Sequence, residues 1–224
     1  MPALKQTLFL LITMFALSAT SQLTLAQETT AQPDSEGWIP LFNGKDLDGW
    51  KTPNFGGERP STVKKSGELV IEMGAPMNGL TYTKDFPKNN YEIELKARRL
   101  LGNDFFVGLT FPVNDKFLSF VVGGWGGVVV GISSLDGEDA NNNDLRQIRQ
   151  FKEAQYYKVN LKVTPELVTV AIDDEQVIKF DPRKHRLSTR VEVDLSKPLG
   201  LSTYETEAGF EYIKYRNLES ATKP

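Results

Sequence analysis

Apolar and polar residues alternate with a period of two along most of this chain, and that rhythm belongs to β-strands. Tyr91, Ile93, Leu95 and Ala97 fall on one side of a segment whose other side carries Glu92, Glu94, Lys96 and Arg98. Tyr157, Val159, Leu161 and Val163 alternate in the same way with Lys158, Asn160 and Lys162. Val168, Val170 and Ile172 form a third set, which stops at Asp173-Asp174, a turn signal ahead of a strand over 176–180. Further β-rich runs cover 105–111, 117–122, 128–132, 199–203 and 210–218. Successive strand side chains point to opposite faces, whereas a helix repeats every 3.6 residues, and no long stretch has the helical repeat. Residues 145–151 fit either one or two turns of helix or the continuation of a strand. Short strands divided by Gly, Pro, Asn and Asp predict an all-β sandwich.

The N-terminus is read separately from the fold. Lys5 precedes an apolar run from Leu8 to Leu17, and a small, polar stretch ends at Thr24-Leu25-Ala26. This charged, apolar, small-residue order predicts a signal peptide over 1–26 and a secreted or periplasmic protein. About ten apolar residues cannot cross a ~30 Å hydrocarbon core, so no membrane span is expected after removal of the signal. Residues 27–37 have no apolar periodicity and read as a disordered leader, with one domain over 38–220. Cysteine is absent, which excludes disulfides, thiolate zinc sites and a lipid anchor on cysteine. The formal charge is −3, one unit more negative without Lys5, and the densest basic run is only Arg183-Lys184-His185-Arg186. No nucleic-acid partner is expected from such a chain. The sequence specifies no assembly state.

Gly123-Gly124-Trp125-Gly126-Gly127 interrupts the strand pattern. It is no phosphate cradle, because that role needs a glycine loop entering a helix, and β-branched residues follow here. Two readings stay open for Trp125: a flat platform for a sugar ring, or a buried filler at a sharp bend.

Residues 38–50, Trp-Ile-Pro-Leu-Phe-Asn-Gly-Lys-Asp-Leu-Asp-Gly-Trp, resemble the opening signature of the 3-keto-disaccharide hydrolase domain family. Tyr91 to Arg98 followed by Gly102-Asn103-Asp104, and Tyr215-Arg216-Asn217-Leu218 near the end, resemble two further strands of that family. The resemblance implies a concanavalin A-like jelly roll of two antiparallel sheets, one curved around a groove of carbohydrate size. In the signature, Leu41, Phe42, Leu47 and Trp50 read as apolar anchors, while Asn43-Gly44 and Asp48-Gly49 read as turns with positive φ. The family often carries Gly-x-Glu-x-Gln-Ile-x-Asp in its middle and Leu-Gln-x-His near its end. Here those places read Phe120-Val121-Val122-Gly123-Gly124-Trp125 and Leu199-Gly200-Leu201-Ser202-Thr203-Tyr204.

The resemblance implies cleavage of 3-keto glycosides or related disaccharides by a hydrolase or lyase; a lectin-like module on the same fold is the alternative. A ketone at C3 makes C2–H acidic, so cleavage needs a base, and a cation or donor for the enolate. Glu94 and Arg98 are the expected catalytic pair, since both fall on one strand face; a solvated face of ion pairs is the competing reading. Asp104, Trp125, Asn143 and Tyr204 are the expected substrate-binding residues. His185, the only histidine, sits in a basic loop and reads as a surface residue. The oxygen-rich run from Ser134 to Asp144 suits calcium or magnesium, solvated turns, or sugar hydroxyls, and its spacing is not that of an EF-hand.

Overall fold

A computed structural model describes residues 32–218. Two antiparallel sheets face each other across one apolar core. The strands are β1 (Ile39–Pro40), β2 (Trp50–Lys51), β3 (Ser61–Val63), β4 (Leu69–Ile71), β5 (Met77–Tyr82), β6 (Tyr91–Gly102), β7 (Val107–Val113) and β8 (Lys116–Gly123). They continue as β9 (Val129–Ser133), β10 (Gln147–Ile148), β11 (Tyr157–Val163), β12 (Val168–Ile172), β13 (Glu175–Phe180), β14 (Gly200–Tyr204) and β15 (Thr206–Asn217). The first sheet runs β13-β12-β11-β6-β15-β4-β3, with β1 also on β15; the second runs β10-β9-β8-β7-β14-β5-β2. This is a concanavalin A-like jelly roll.

The alternation explains which side of each strand meets the core. Ile93, Leu95 and Ala97 of β6 and Val159, Leu161 and Val163 of β11 turn inward from the first sheet. Leu80, Leu201, Leu109, Phe120 and Ile132 answer them as one row of paired residues across β5, β14, β7, β8 and β9. The turn after β12 has the anticipated form: Asp173 and Asp174 take φ of 52° and 67°, the left-handed pair that closes a two-residue hairpin. Residues 145–151 contribute the short edge strand β10 against β9, not helix.

The opening signature is architectural. Leu41, Phe42 and Trp50 are buried, and the Trp50 indole donates to the Leu41 carbonyl at 2.8 Å. Asn43 Oδ1 accepts from the backbone of Lys45 and Asp46, and Gly44 and Gly49 take φ of 71° and 81°. Ordered backbone begins ahead of the expected start at Trp38, because Asp34 Oδ1 accepts from the Glu36 and Trp38 amides and closes a turn. The expected signal peptide and residues 27–31 of the expected leader lie outside the described residues. Among the described residues, no helix is long and apolar enough to cross a membrane.

Candidate functional site

The outward faces of the two sheets differ. On the first sheet, Glu92, Glu94, Lys96 and Arg98 of β6 meet partners on neighbouring strands and loops. Arg98 makes a two-pronged bond to Glu68, both contacts at 2.7 Å, and the Tyr156 hydroxyl donates to the same carboxylate at 2.6 Å. Burial would raise the Glu68 pKa, but the hydrogen bonds from Arg98 and Tyr156 outweigh it and hold the group below its ordinary value. Burial, and then Glu68, push Tyr156 up to about 12. Glu94 binds Lys214 at 3.1 Å and the Tyr212 hydroxyl at 3.0 Å, and Lys96 binds Glu211 at 2.7 Å. Glu94 and Arg98 therefore do not converge. Each is held by a different partner across the sheet, Glu94 by Lys214 and Arg98 by Glu68, so the fold does not bring the expected pair together.

The second sheet turns a hollow outward. Thr81, Gly200, Thr110, Ser119 and Ser133 are successive partners across β5, β14, β7, β8 and β9, on the side opposite the leucine and phenylalanine row. Beside them runs a second row, Gly79, Ser202, Gly108, Val121 and Gly131. Small residues at alternate positions on five adjacent strands leave space where large side chains would otherwise stand. Two loops wall that space. A 3-10 turn over Val191–Ser196 is tied down where Thr81 Oγ1 donates to the Leu195 carbonyl at 2.7 Å. Ala140, from the loop after β9, packs on Val121 and Val129.

The result is a cavity of about 300 Å³ floored by Gly108, Ser119, Val121, Ser133 and Ser202. Asp104, Phe105, Trp125, Tyr204, Met77, Arg190, Glu192 and Val193 line the rest. Residues 124–127 form one tight turn with Trp125 at φ 48°, ψ 61°, a left-handed conformation rare for a bulky residue. Arg99 holds the turn from below. Its Nη2 donates to the Gly127 carbonyl at 3.0 Å, and a Cβ at residue 123, where the φ of 78° favours glycine, would sit 2.6 Å from that nitrogen and displace the guanidinium. Burial lowers the Arg99 pKa. Trp125 is 38% exposed, so it is no filler at the bend. Phe105 and Tyr204 pack with ring centres 5.9 Å apart on another wall. Asp104 is fixed by the Phe105 amide at 2.7 Å and the Gly126 amide at 3.2 Å.

Arg190 is the cation of the cavity. Its Nη2 lies 2.8 Å from Glu192 and its Nη1 3.2 Å from Asp139. The bond to Glu192 raises the Arg190 pKa and, in return, lowers that of Glu192. Of the expected substrate-binding residues, the fold brings Asp104, Trp125 and Tyr204 together. Asn143 is not among the lining residues: its amide donates to the carbonyls of Ile132, Glu138 and Asp139, and its oxygen accepts from Leu145. It organises the loop that walls the cavity. His185 Nδ1 lies 2.6 Å from Asp136, and the Arg186 amide donates to the same carboxylate, so this pair fastens the loop to the segment leading to Arg190. Among the described residues, no three His, Cys, Asp or Glu side chains gather as metal ligands.

Sequence reading missed Arg190, Glu192 and the serine floor. A signal for the floor was present: Gly79/Thr81, Gly108/Thr110, Gly131/Ser133 and Gly200/Ser202 are small-residue pairs two apart. Nothing local marks Arg190 and Glu192, which reach the cavity from a long connection.

Comparison with known proteins agrees with this architecture. No curated protein sequence matches the chain. Among solved structures, a glycosyl hydrolase described as putative, from Parabacteroides distasonis, superposes with a TM-score of 0.53 at 14% identity, over 82% of this chain and 95% of that one. The Crh5 transglycosylase in complex with NAG gives 0.55 at 12% identity, over 84% and 86%. A family 7 alginate lyase, A1-II′, gives 0.51 at 10% identity, over 78% and 98%. At such identities the likeness is one of fold. The sequence itself goes further, for the family profile described as "3-keto-alpha-glucoside-1,2-lyase-like domain" matches residues 37–219, nearly the whole sandwich, and the chain belongs to that family.

Proposed function

We propose that this protein is exported and cleaves 3-keto glycosides in the hollow of the second sheet, with Arg190 and Glu192 as the catalytic pair. One observation carries the reading: a cation and a carboxylate 2.8 Å apart line the same cavity as an exposed tryptophan and a serine floor. In a 3-keto sugar, the oxygen that becomes negative is on C3 and the proton that leaves is on the adjacent C2. A base and an enolate-stabilising cation must then be neighbours, as Arg190 and Glu192 are and Glu94 and Arg98 are not. Glu192 is ionised at neutral pH as an ordinary carboxylate is, and its bond to Arg190 holds its pKa lower still. When the ketone oxygen takes part of the Arg190 charge, that hold relaxes and Glu192 becomes the better base.

The step balances as follows. Glu192 takes the C2 proton, and the C–H electron pair forms the enolate, whose oxygen Arg190 holds. The enolate then collapses to a C1=C2 double bond conjugated with the restored ketone. The C1–O bond breaks, and the departing oxygen takes a proton from water, whose hydroxide removes the proton from Glu192 and restores the carboxylate. Asp104, Trp125 and Tyr204 hold the ring by hydrogen bonds and stacking. The family's name and the charged, apolar, small-residue order of residues 1–26 support the substrate class and the export.

The test is to incubate purified protein with a 3-keto α-glucoside and with its unoxidised parent. Cleavage of the ketone alone supports the reading. Binding of both without cleavage of either assigns the cavity to a lectin-like site instead.

A further inference from the structure

Ser119 and Ser133 are partners in the same row of the hollow, yet their hydroxyls differ. Ser119 Oγ lies 2.9 Å from Thr110 Oγ1, its neighbour on the other side, and both are buried. Ser202 Oγ donates to the Gly108 carbonyl at 3.3 Å. Ser133 is 2% exposed, lines the cavity, and its Oγ has no hydrogen-bond partner among the described residues. A buried hydroxyl without a partner is destabilising, and alanine in its place would remove the penalty. Serine at 133 is therefore unfavourable for the fold taken alone, and of the four buried hydroxyls without a partner among the described residues, on Ser61, Ser133, Ser196 and Thr203, it is the one that lines the cavity.

Building on the catalytic reading above, we infer that Ser133 is a specificity-determining residue that hydrogen-bonds one hydroxyl of the bound sugar ring. The cavity is at the small end of the ~300–1,000 Å³ range of ligand sites, which suits one sugar ring rather than a chain. Val121, beside Ser119 on β8, presents no polar atom to the floor. A sugar hydroxyl that reaches Ser133 is thus read by that side chain, and a ring lacking the hydroxyl leaves the site's polar atom unpaired. Such a site rejects the deoxy analogue rather than merely tolerating it. The site selects a ring bearing a hydroxyl at one particular carbon.

The experiment compares wild type with Ser133→Ala, titrating methyl 3-keto-α-glucopyranoside and its monodeoxy analogues by calorimetry and recording melting temperatures. For the wild type, affinity falls about tenfold for one deoxy analogue and less for the others. Ser133→Ala binds the parent about tenfold more weakly, no longer distinguishes it from that analogue, and melts at or above the wild-type temperature. Ser119→Ala, which orphans Thr110, melts lower. Unchanged affinity of Ser133→Ala for the parent, or a lowered melting temperature with intact discrimination, overturns the assignment and leaves the catalytic reading standing. Failure of the wild type to bind any of these glycosides overturns both.

Discussion

The two outward faces of this sandwich use opposite means to satisfy the same geometry. The face of the first sheet carries long charged and aromatic side chains along β6 and β15, and Glu92, Glu94, Lys96 and Arg98 each close onto a partner. Glu92 alone receives Arg216 at 2.7 Å, Asn160 at 2.7 Å and Lys162 at 3.4 Å. The face of the second sheet fills two facing rows with Gly, Ser and Thr, interrupted by Val121, and leaves room and, at Ser133, a hydroxyl without a partner among the described residues. A satisfied face has nothing to offer a ligand, because any new contact must first break an old one. A hollow face has desolvated, unmatched groups that only a ligand can complete. Charged residues on a strand are thus a weak sign of catalysis, and small ones two apart are a stronger sign of a cleft.

Substitutions can break this contrast, beginning with the largest effect. Arg190→Ala should lower turnover of a 3-keto glycoside by about 100-fold or more, the scale for one lost enolate or oxyanion donor, as followed by release of the aglycone. Arg98→Met on the opposite face should leave turnover unchanged and cost about 2 kcal/mol in urea denaturation, because Glu68, mostly buried, loses its two-pronged partner. That cost has a predictable pH dependence. The folded Glu68 pKa lies below its unfolded value of about 4.3, so the stabilisation is complete above that pH and fades as pH falls through the folded pKa. The gap between wild type and Arg98→Met should therefore close below about pH 4. A smaller effect belongs to Trp125→Ala. It should weaken sugar binding about fivefold, the worth of one aromatic stacking contact, with little change in melting temperature because the ring is exposed. Glu94→Gln should be nearly silent in turnover, and loss of activity there would return the chemistry to the first sheet.

The sheets were legible in the sequence because burial on one side of a strand imposes the period-two pattern directly, as β6 and β11 demonstrate. The edge strand β10 was not, since two exposed residues carry no pattern. At the site, Asp104, Trp125 and Tyr204 were legible as polar or aromatic residues at glycine-rich or strand-end positions, where chains turn and side chains reach a rim. Arg190 and Glu192 were not. They belong to a connection without periodicity, and their meeting with β8 and β9 depends on the Thr81–Leu195 and Arg190–Asp139 contacts, which join residues far apart in the chain. Asn143 misled for the same reason: an exposed-looking polar loop residue turned out to bind its own loop's backbone.

The central claim, that the hollow of the second sheet receives the ketosugar with its C3 oxygen at Arg190, is tested most directly by a crystal structure of Glu192→Gln soaked with a 3-keto α-glucoside. The account predicts one ring over Ser119 and Ser133, its C3 oxygen within hydrogen-bond distance of the Arg190 guanidinium and C2 facing residue 192. A ring bound on the outward face of the first sheet, beside Glu94 and Arg98, would contradict it.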